Sequence, residues 1–154
     1  MTDCSFCKAL SDPDSNLLME TTYWQVELGY NQYYLGRCVV VLKRHSPSLS
    51  ELRVEEWGEL KVVIERLESA LRDLFGAEPF NWSCLMNAGY HTDPPAPHVH
   101  FHLWPRYRQA VQFCGLTFED NEFGTHYDHA GQRSLPKEIR AELVKLLRTR
   151  LAQD

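Results

Sequence analysis

The sequence predicts a single α+β domain, residues 1–154, built on an antiparallel sheet of about five strands with a long central helix and a C-terminal helix. Three observations predict it. Short segments rich in aromatic and β-branched residues recur at 17–28, 36–44, 80–89 and 98–104. Regular crossover helices do not separate them, which favours antiparallel pairing over a doubly wound parallel sheet. Two stretches, 49–75 and 136–151, carry helical periodicity instead.

The elements follow in order. Residues 8–16, "KALSDPDSN", read as a loop punctuated by Pro13. "LLMETTYWQVEL" (17–28) reads as one or two strands, followed by a turn at Gly29-Tyr30-Asn31. "GRCVVVLKR" holds a short buried strand, Cys38–Leu42, and then turns basic. In 49–75, Trp57, Leu60, Ile64, Leu67, Leu71 and Leu74 recur at spacings of 3, 4, 3, 4 and 3, one face of a helix. Ser48 to Glu51 fits a capping box and Gly76 a stop. "FNWSCLMNAG" (80–89) alternates as a strand does, "YHTDPPAP" (90–97) is a proline-stiffened loop, and 98–104 is a strand bearing histidines. Residues 108–135 hold short strand-like pieces and polar loops. Pro136 suits the first turn of the last helix, whose apolar face is Ile139, Leu143, Leu146 and Leu147.

Composition limits function. Apolar residues make up 44% and charged residues 24%, as in ordinary soluble domains. The net charge of −5 argues against a nucleic-acid binder, yet leaves room for a local basic pocket. No apolar run approaches the roughly 20 residues of a membrane span. "MTDCSFCKAL" lacks the basic and apolar regions of a signal peptide, so the expected compartment is the cytoplasm. There, the five cysteines are expected to be reduced thiols unless they bind metal.

The chemistry concentrates in "PHVHFHLWPRY" (97–107). On a strand, His98, His100, His102 and Trp104 share one face, while Val99, Phe101 and Leu103 share the other. Same-face neighbours lie roughly 6.5–7 Å apart, so one ligand can touch several histidines. The alternation fits a metal site, a nucleophilic or acid–base site, or a merely structural strand. Cys4-x-x-Cys7 has the spacing of a zinc half-site, against the alternative of two unligated thiols. His126 and His129 read as incidental loop histidines, and Trp24 and Tyr23 as packing residues.

"HVHFHLWPR" resembles the signature of the histidine triad (HIT) family. Asn87 stands at the family's spacing ahead of it, "VVVLKRHSPSLSEL" (39–52) is similar to its strand, basic turn, histidine and helix start, and "CSFCK" (4–8) to the cysteine pair of many bacterial and archaeal members. The resemblance spans roughly 4–106, with 107–154 as a C-terminal extension. It implies a HIT-like fold, commonly homodimeric, that cleaves nucleotides at the α-phosphate. Its substrates would be dinucleoside polyphosphates or nucleoside phosphoramidates. His100 would be the nucleophile, forming a nucleotidyl-histidine that water resolves. His102 would assist the leaving group, and His102 and Asn87 would supply donors to phosphoryl oxygens. Retention of His102 favours hydrolysis over the nucleotidyl transfer of a glutamine-bearing branch. A zinc-stabilised nucleotide binder with little turnover is the remaining alternative. Cys4, Cys7, His45 and His98 would hold a structural zinc, and no organic cofactor is implied. Substrate contacts are expected from Asn87, His98, His102, Lys43 and Arg106. One departure stands out: Pro94, Pro95 and Pro97 replace a Gly-rich phosphate-cradling loop and lack N–H donors. His91, Thr92, Arg106 and Arg108 are the candidate substitutes.

Overall fold

A computed structural model describes residues 4–11, 16–127 and 130–153. The element order is α1 (Ser5–Ser11), β1 (Leu17–Glu20), β2 (Trp24–Leu28), β3 (Cys38–Leu42), α2 (Val54–Phe75), β4 (Phe80–Ser83), β5 (His100–Pro105), β6 (Val111–Phe113), β7 (Leu116–Phe118) and α3 (Lys137–Leu151). The first five strands form one antiparallel sheet in the order β1-β2-β3-β5-β4, and β6 and β7 form a separate hairpin. The α+β class, the five strands and both long helices match the sequence reading.

Cross-strand partners share a face, so the register sorts the sheet into two surfaces. Trp24, Val26, Leu28, Cys38, Val40, Leu42 and Leu103 are buried in one cluster with Leu60, Val63, Leu67 and Leu71 of α2 and Leu143, Val144 and Leu147 of α3. The opposite surface aligns Gln25 with Val41 and His100, Glu27 with Val39 and His102, and Ser83 and Asn81 with His102 and Trp104. α2 and α3 therefore cover one face and leave the histidines on the other.

Several boundaries differ from the sequence reading, each for a local reason. The capping signal at Ser48 belongs to a 3-10 turn, Leu49–Glu51, in which Ser48 Oγ accepts from the Ser50 amide. The long helix begins at Val54. There the Glu56 carboxylate accepts from the Arg53 amide and, through both oxygens, from the Arg44 guanidinium at 2.6 and 2.8 Å. Glu56 is fully buried, and Arg44 holds its carboxyl below the usual range. Trp57 is 44% exposed, so the apolar face of α2 is shifted to Leu60, Val63, Leu67, Ala70 and Leu71. Gly76 ends the helix in the left-handed region, φ 68°, as its position implied. The strand read over 80–89 stops at Ser83, and Asn87–Tyr90 winds into a 3-10 turn. Residues 5–11, partly read as loop, are helical, and Phe6 packs on histidine rings there.

Candidate active site

The histidine strand is regular from His100 onward. Ahead of it the Val99 amide donates to Ser46 O at 2.9 Å, and the Leu42 amide donates to Val99 O at 3.2 Å. His98 thus lies at the bend between β3 and β5, beside His45. Phe6 covers His98 and His100, with ring centroids at 5.6 and 4.2 Å. The His100 and His102 rings meet edge to face at 4.9 Å.

Backbone contacts set the tautomers of two rings. His98 Nε2 lies 2.7 Å from Leu42 O, and His100 Nδ1 lies 2.7 Å from His98 O. A carbonyl only accepts, so each of those nitrogens carries the proton. His98 is left with a lone pair on Nδ1 and His100 with one on Nε2. Burial pushes both histidines below the usual imidazole range, which keeps them neutral. His102 is pushed further, to about 4, by burial, by the neighbouring His100 and by the Arg37 cation. Among the described residues its buried Nδ1 has no hydrogen-bond partner, nor has Ser83 Oγ on the neighbouring strand.

The His98 lone pair faces the two N-terminal thiols. Its Nδ1 lies 3.3 Å from Cys4 Sγ and 3.5 Å from Cys7 Sγ, and His45 Nδ1 lies 3.5 Å from Cys7 Sγ. All four ligand atoms fall within 4.8 Å of one another. A tetrahedral N/S site has ligand–ligand distances of about 3.3–3.8 Å, so Cys4, Cys7, His45 and His98 fit a metal ion. The Leu42 carbonyl orients His98 from behind, the outer contact such sites use. Burial and Cys4 raise the Cys7 thiol to about 11 in the metal-free chain, so binding displaces a proton.

The other expected site residues fall differently. Asn87 opens the exposed 3-10 turn that follows β4. Lys43 reaches back across β2, donating to Glu20 at 2.5 Å and to Thr21 O at 2.9 Å, away from β5. Arg106 requires a correction. It is 2% exposed, and its guanidinium is spent on Asp120, Asn81 and the carbonyls of Glu122 and Thr125. It ties β5 to the 120–125 loop and has no donor to spare for substrate. Arg108 lies over the Phe123 ring, at a cavity near the end of α2 remote from the histidines. Arg44 serves the start of α2. Trp24 is core, as expected, and Tyr23 packs against the core. His126 is exposed and stacks on Tyr127, while His129 lies outside the described residues. No helix among the described residues is long and apolar enough to cross a membrane.

Sequence reading missed three neighbours: Phe6, Ser83 and Arg37. Only Phe6 carried a signal, its place between the two cysteines. Arg37 lies on the histidine face with its guanidinium carbon 3.5 Å from the centre of the Trp104 ring, and Tyr127 stacks on Trp104 at 4.3 Å.

The site is thus a helix-backed antiparallel sheet that carries a neutral, oriented histidine row beside a Cys₂His₂ cluster. Residues 13–109 match the model of the HIT domain, and the chain belongs to the HIT family. An adenosine 5'-monophosphoramidase of Saccharomyces cerevisiae is 28% identical over 142 residues, which cover 91% of this chain and 82% of the yeast protein. The fold is similar to a Zn-bound histidine triad family protein from Mycobacterium smegmatis, with a TM-score of 0.67, 23% identity, and 98% and 94% of the two chains covered. It is also similar to a hypothetical histidine triad nucleotide-binding protein from Sulfolobus tokodaii, with a TM-score of 0.70, 18% identity, and 97% and 93% covered.

Proposed function

We propose that this HIT protein is a nucleotide hydrolase. It cleaves at the α-phosphate of dinucleoside polyphosphates or nucleoside phosphoramidates through a nucleotidyl-His100 intermediate. The observation that carries the reading is the 2.7 Å contact of His100 Nδ1 with His98 O. It leaves Nε2 as an unprotonated nucleophile on the histidine face of the sheet, beneath Phe6. Attack of Nε2 on phosphorus forms a P–N bond and expels the leaving group. Water then attacks the same phosphorus and returns the imidazole. His102 and Asn87 are the side chains assigned to the phosphoryl oxygens. The metal is assigned as zinc, by its donor set and by the name of the mycobacterial relative. It supplies structure at Cys4, Cys7, His45 and His98. His98 then acts through its carbonyl, which fixes the nucleophile's tautomer, and its ring is not a substrate contact.

The test is turnover of a panel of adenine and guanine dinucleotides and phosphoramidates by wild type and His100→Asn. The variant is expected to fold and to lose about 10³-fold or more in rate. Wild type quenched mid-turnover is expected to carry nucleotide on a histidine as an acid-labile phosphoramidate. A fully active variant, or label on another residue type, refutes the mechanism. Tight binding without turnover across the panel leaves a binding protein instead.

A further inference from the structure

The proline-bearing loop leaves recognition of the phosphate beyond the scissile bond unassigned. Of the three N–H groups in residues 94–99, that of Ala96 donates to Gly89 O and that of Val99 to Ser46 O. Arg106, Arg108, Lys43 and Arg44 are engaged elsewhere. Among the described residues of β3 and β5 and their flanks, Arg37 is the cation left on the histidine face, and the strand register places it. Val41 pairs with His100 and Val39 with His102, so Arg37 comes next, beside Trp104.

Arg37 is held in place with care. The backbone before it turns through Gly36 at φ 82°, where an added Cβ would lie 2.5 Å from the Leu71 side chain. Fully buried Gln32 accepts from the Gly36 amide at 2.7 Å and donates to Arg37 O at 2.9 Å. Yet the guanidinium itself is left unused. Among the described residues it makes no ion pair, and its Nε is buried with no hydrogen-bond partner. Its guanidinium carbon sits 3.5 Å over the centre of the Trp104 ring, a contact that uses the face of the group and none of its N–H donors. Burial lowers the affinity of Arg37 for its proton, and Tyr127 offsets that only in part. A half-buried guanidinium without a carboxylate is the kind of group that takes a phosphate as its partner.

Resting on the hydrolase reading above, we propose that Arg37 is the specificity-determining residue of the site. It binds the anionic phosphate on the leaving-group side of the scissile bond, so that nucleoside polyphosphates are cleaved in preference to phosphoramidates. Bond accounting agrees. When His100 Nε2 attacks a polyphosphate, the bond from the α-phosphorus to the bridging oxygen breaks. Its electron pair leaves on that oxygen, which departs as phosphate and needs no proton at neutral pH. A phosphoramidate nitrogen must gain a proton as it leaves. Arg37 also opposes charge on His102, which makes that ring a poor proton donor. The same cation therefore welcomes one leaving group and handicaps the other.

The experiment measures kcat/KM for diadenosine triphosphate and for adenosine 5'-phosphoramidate with wild type, Arg37→Met and Arg37→Lys. Calorimetry gives the affinities of ADP and AMP for the same three proteins, and melting curves check folding. Arg37→Met is expected to lose about 10- to 100-fold on the triphosphate, the range of a lost charge-assisted contact, and less than about 3-fold on the phosphoramidate. Its preference for ADP over AMP is expected to collapse, and Arg37→Lys to retain part of both. Equal losses on the two substrates, or an unchanged ADP/AMP ratio in either folded variant, overturns the proposal. If wild type cleaves neither substrate, the hydrolase reading falls by itself. The ADP/AMP ratio and its response to Arg37→Met or Arg37→Lys then decide Arg37 alone.

Discussion

The two ends of the histidine row are built by opposite means. At one end Cys4, Cys7, His45 and His98 converge, with all four ligand atoms within 4.8 Å of one another. At the other, Arg37, Trp104 and Tyr127 stack beside His102. The first end is built of residues that could jointly ligate one metal ion, and each residue type advertises that role. The second is defined by what is missing, a guanidinium with no carboxylate partner among the described residues. A site made of ligands is written in residue identity. A site made of an unpaired charge exists only once every possible partner has been placed.

The largest effect that sharpens this comparison comes from the ligand end. Cys4→Ser combined with Cys7→Ser is expected to abolish stoichiometric metal and to lower stability by about 3 kcal/mol or more, since metal ligation is folding energy. Elemental analysis of untagged protein and urea denaturation check both. Because α1 carries Phe6 onto His100 at 4.2 Å, cleavage should fall along with stability. Full metal occupancy in the double variant removes the cysteines from the site and breaks the comparison.

The same contrast explains what the sequence could reveal. The strand Cys38–Leu42 was legible because a buried strand reads as a continuous apolar run between Gly36 and the basic Lys43-Arg44. The metal cluster was legible through a resemblance anchored on Cys4-x-x-Cys7 and the alternating histidines. The true start of α2 was not. Ser48 supplied a genuine capping signal, but the 3-10 turn used it, and the helix took its cap from Glu56, a residue whose burial depends on Arg44. Arg106 was misread for a similar reason. Its place beside the histidine row hid a bidentate partner, Asp120, that lies fourteen residues on and whose side chain is fully buried. Arg37 was invisible because the face it occupies follows from pairing with β5, more than sixty residues away.

A smaller effect probes the other end through His102. Its folded-state pKa is depressed to about 4, against an ordinary value near 6.5. The unfolded chain therefore binds a proton that the folded chain refuses between those values. Stability should be intact above about pH 6.5 and decline as pH falls toward 4, by at most about 1.4 kcal/mol per pH unit from this group. Urea midpoints of wild type and His102→Gln at pH 7 and 4.5 check the sign. The variant should lose less on acidification, and an identical loss would mean that His102 is not held neutral by burial and Arg37. Metal release at low pH affects both proteins alike, so the difference between them isolates the ring.

The smallest effect belongs to the lysine that sequence proximity favoured. Lys43 stands in the basic turn two residues before His45, and its sign and place fit a phosphate ligand. In the fold its ammonium crosses β2 to meet Glu20 at 2.5 Å and Thr21 O at 2.9 Å, over the edge of the sheet opposite β4. The lysine is about one-third exposed and its glutamate about one-half, so solvent screens the pair. Lys43→Ala should therefore lower stability by less than about 1 kcal/mol and cleavage by less than about 3-fold. Kinetics on the substrate panel, run beside Arg37→Met, make the comparison direct. If Lys43→Ala lost as much on diadenosine triphosphate as Arg37→Met, the lysine would have to leave Glu20 when substrate binds. Phosphate recognition would then belong to the basic turn of β3, and the unpaired guanidinium would be a packing residue on Trp104.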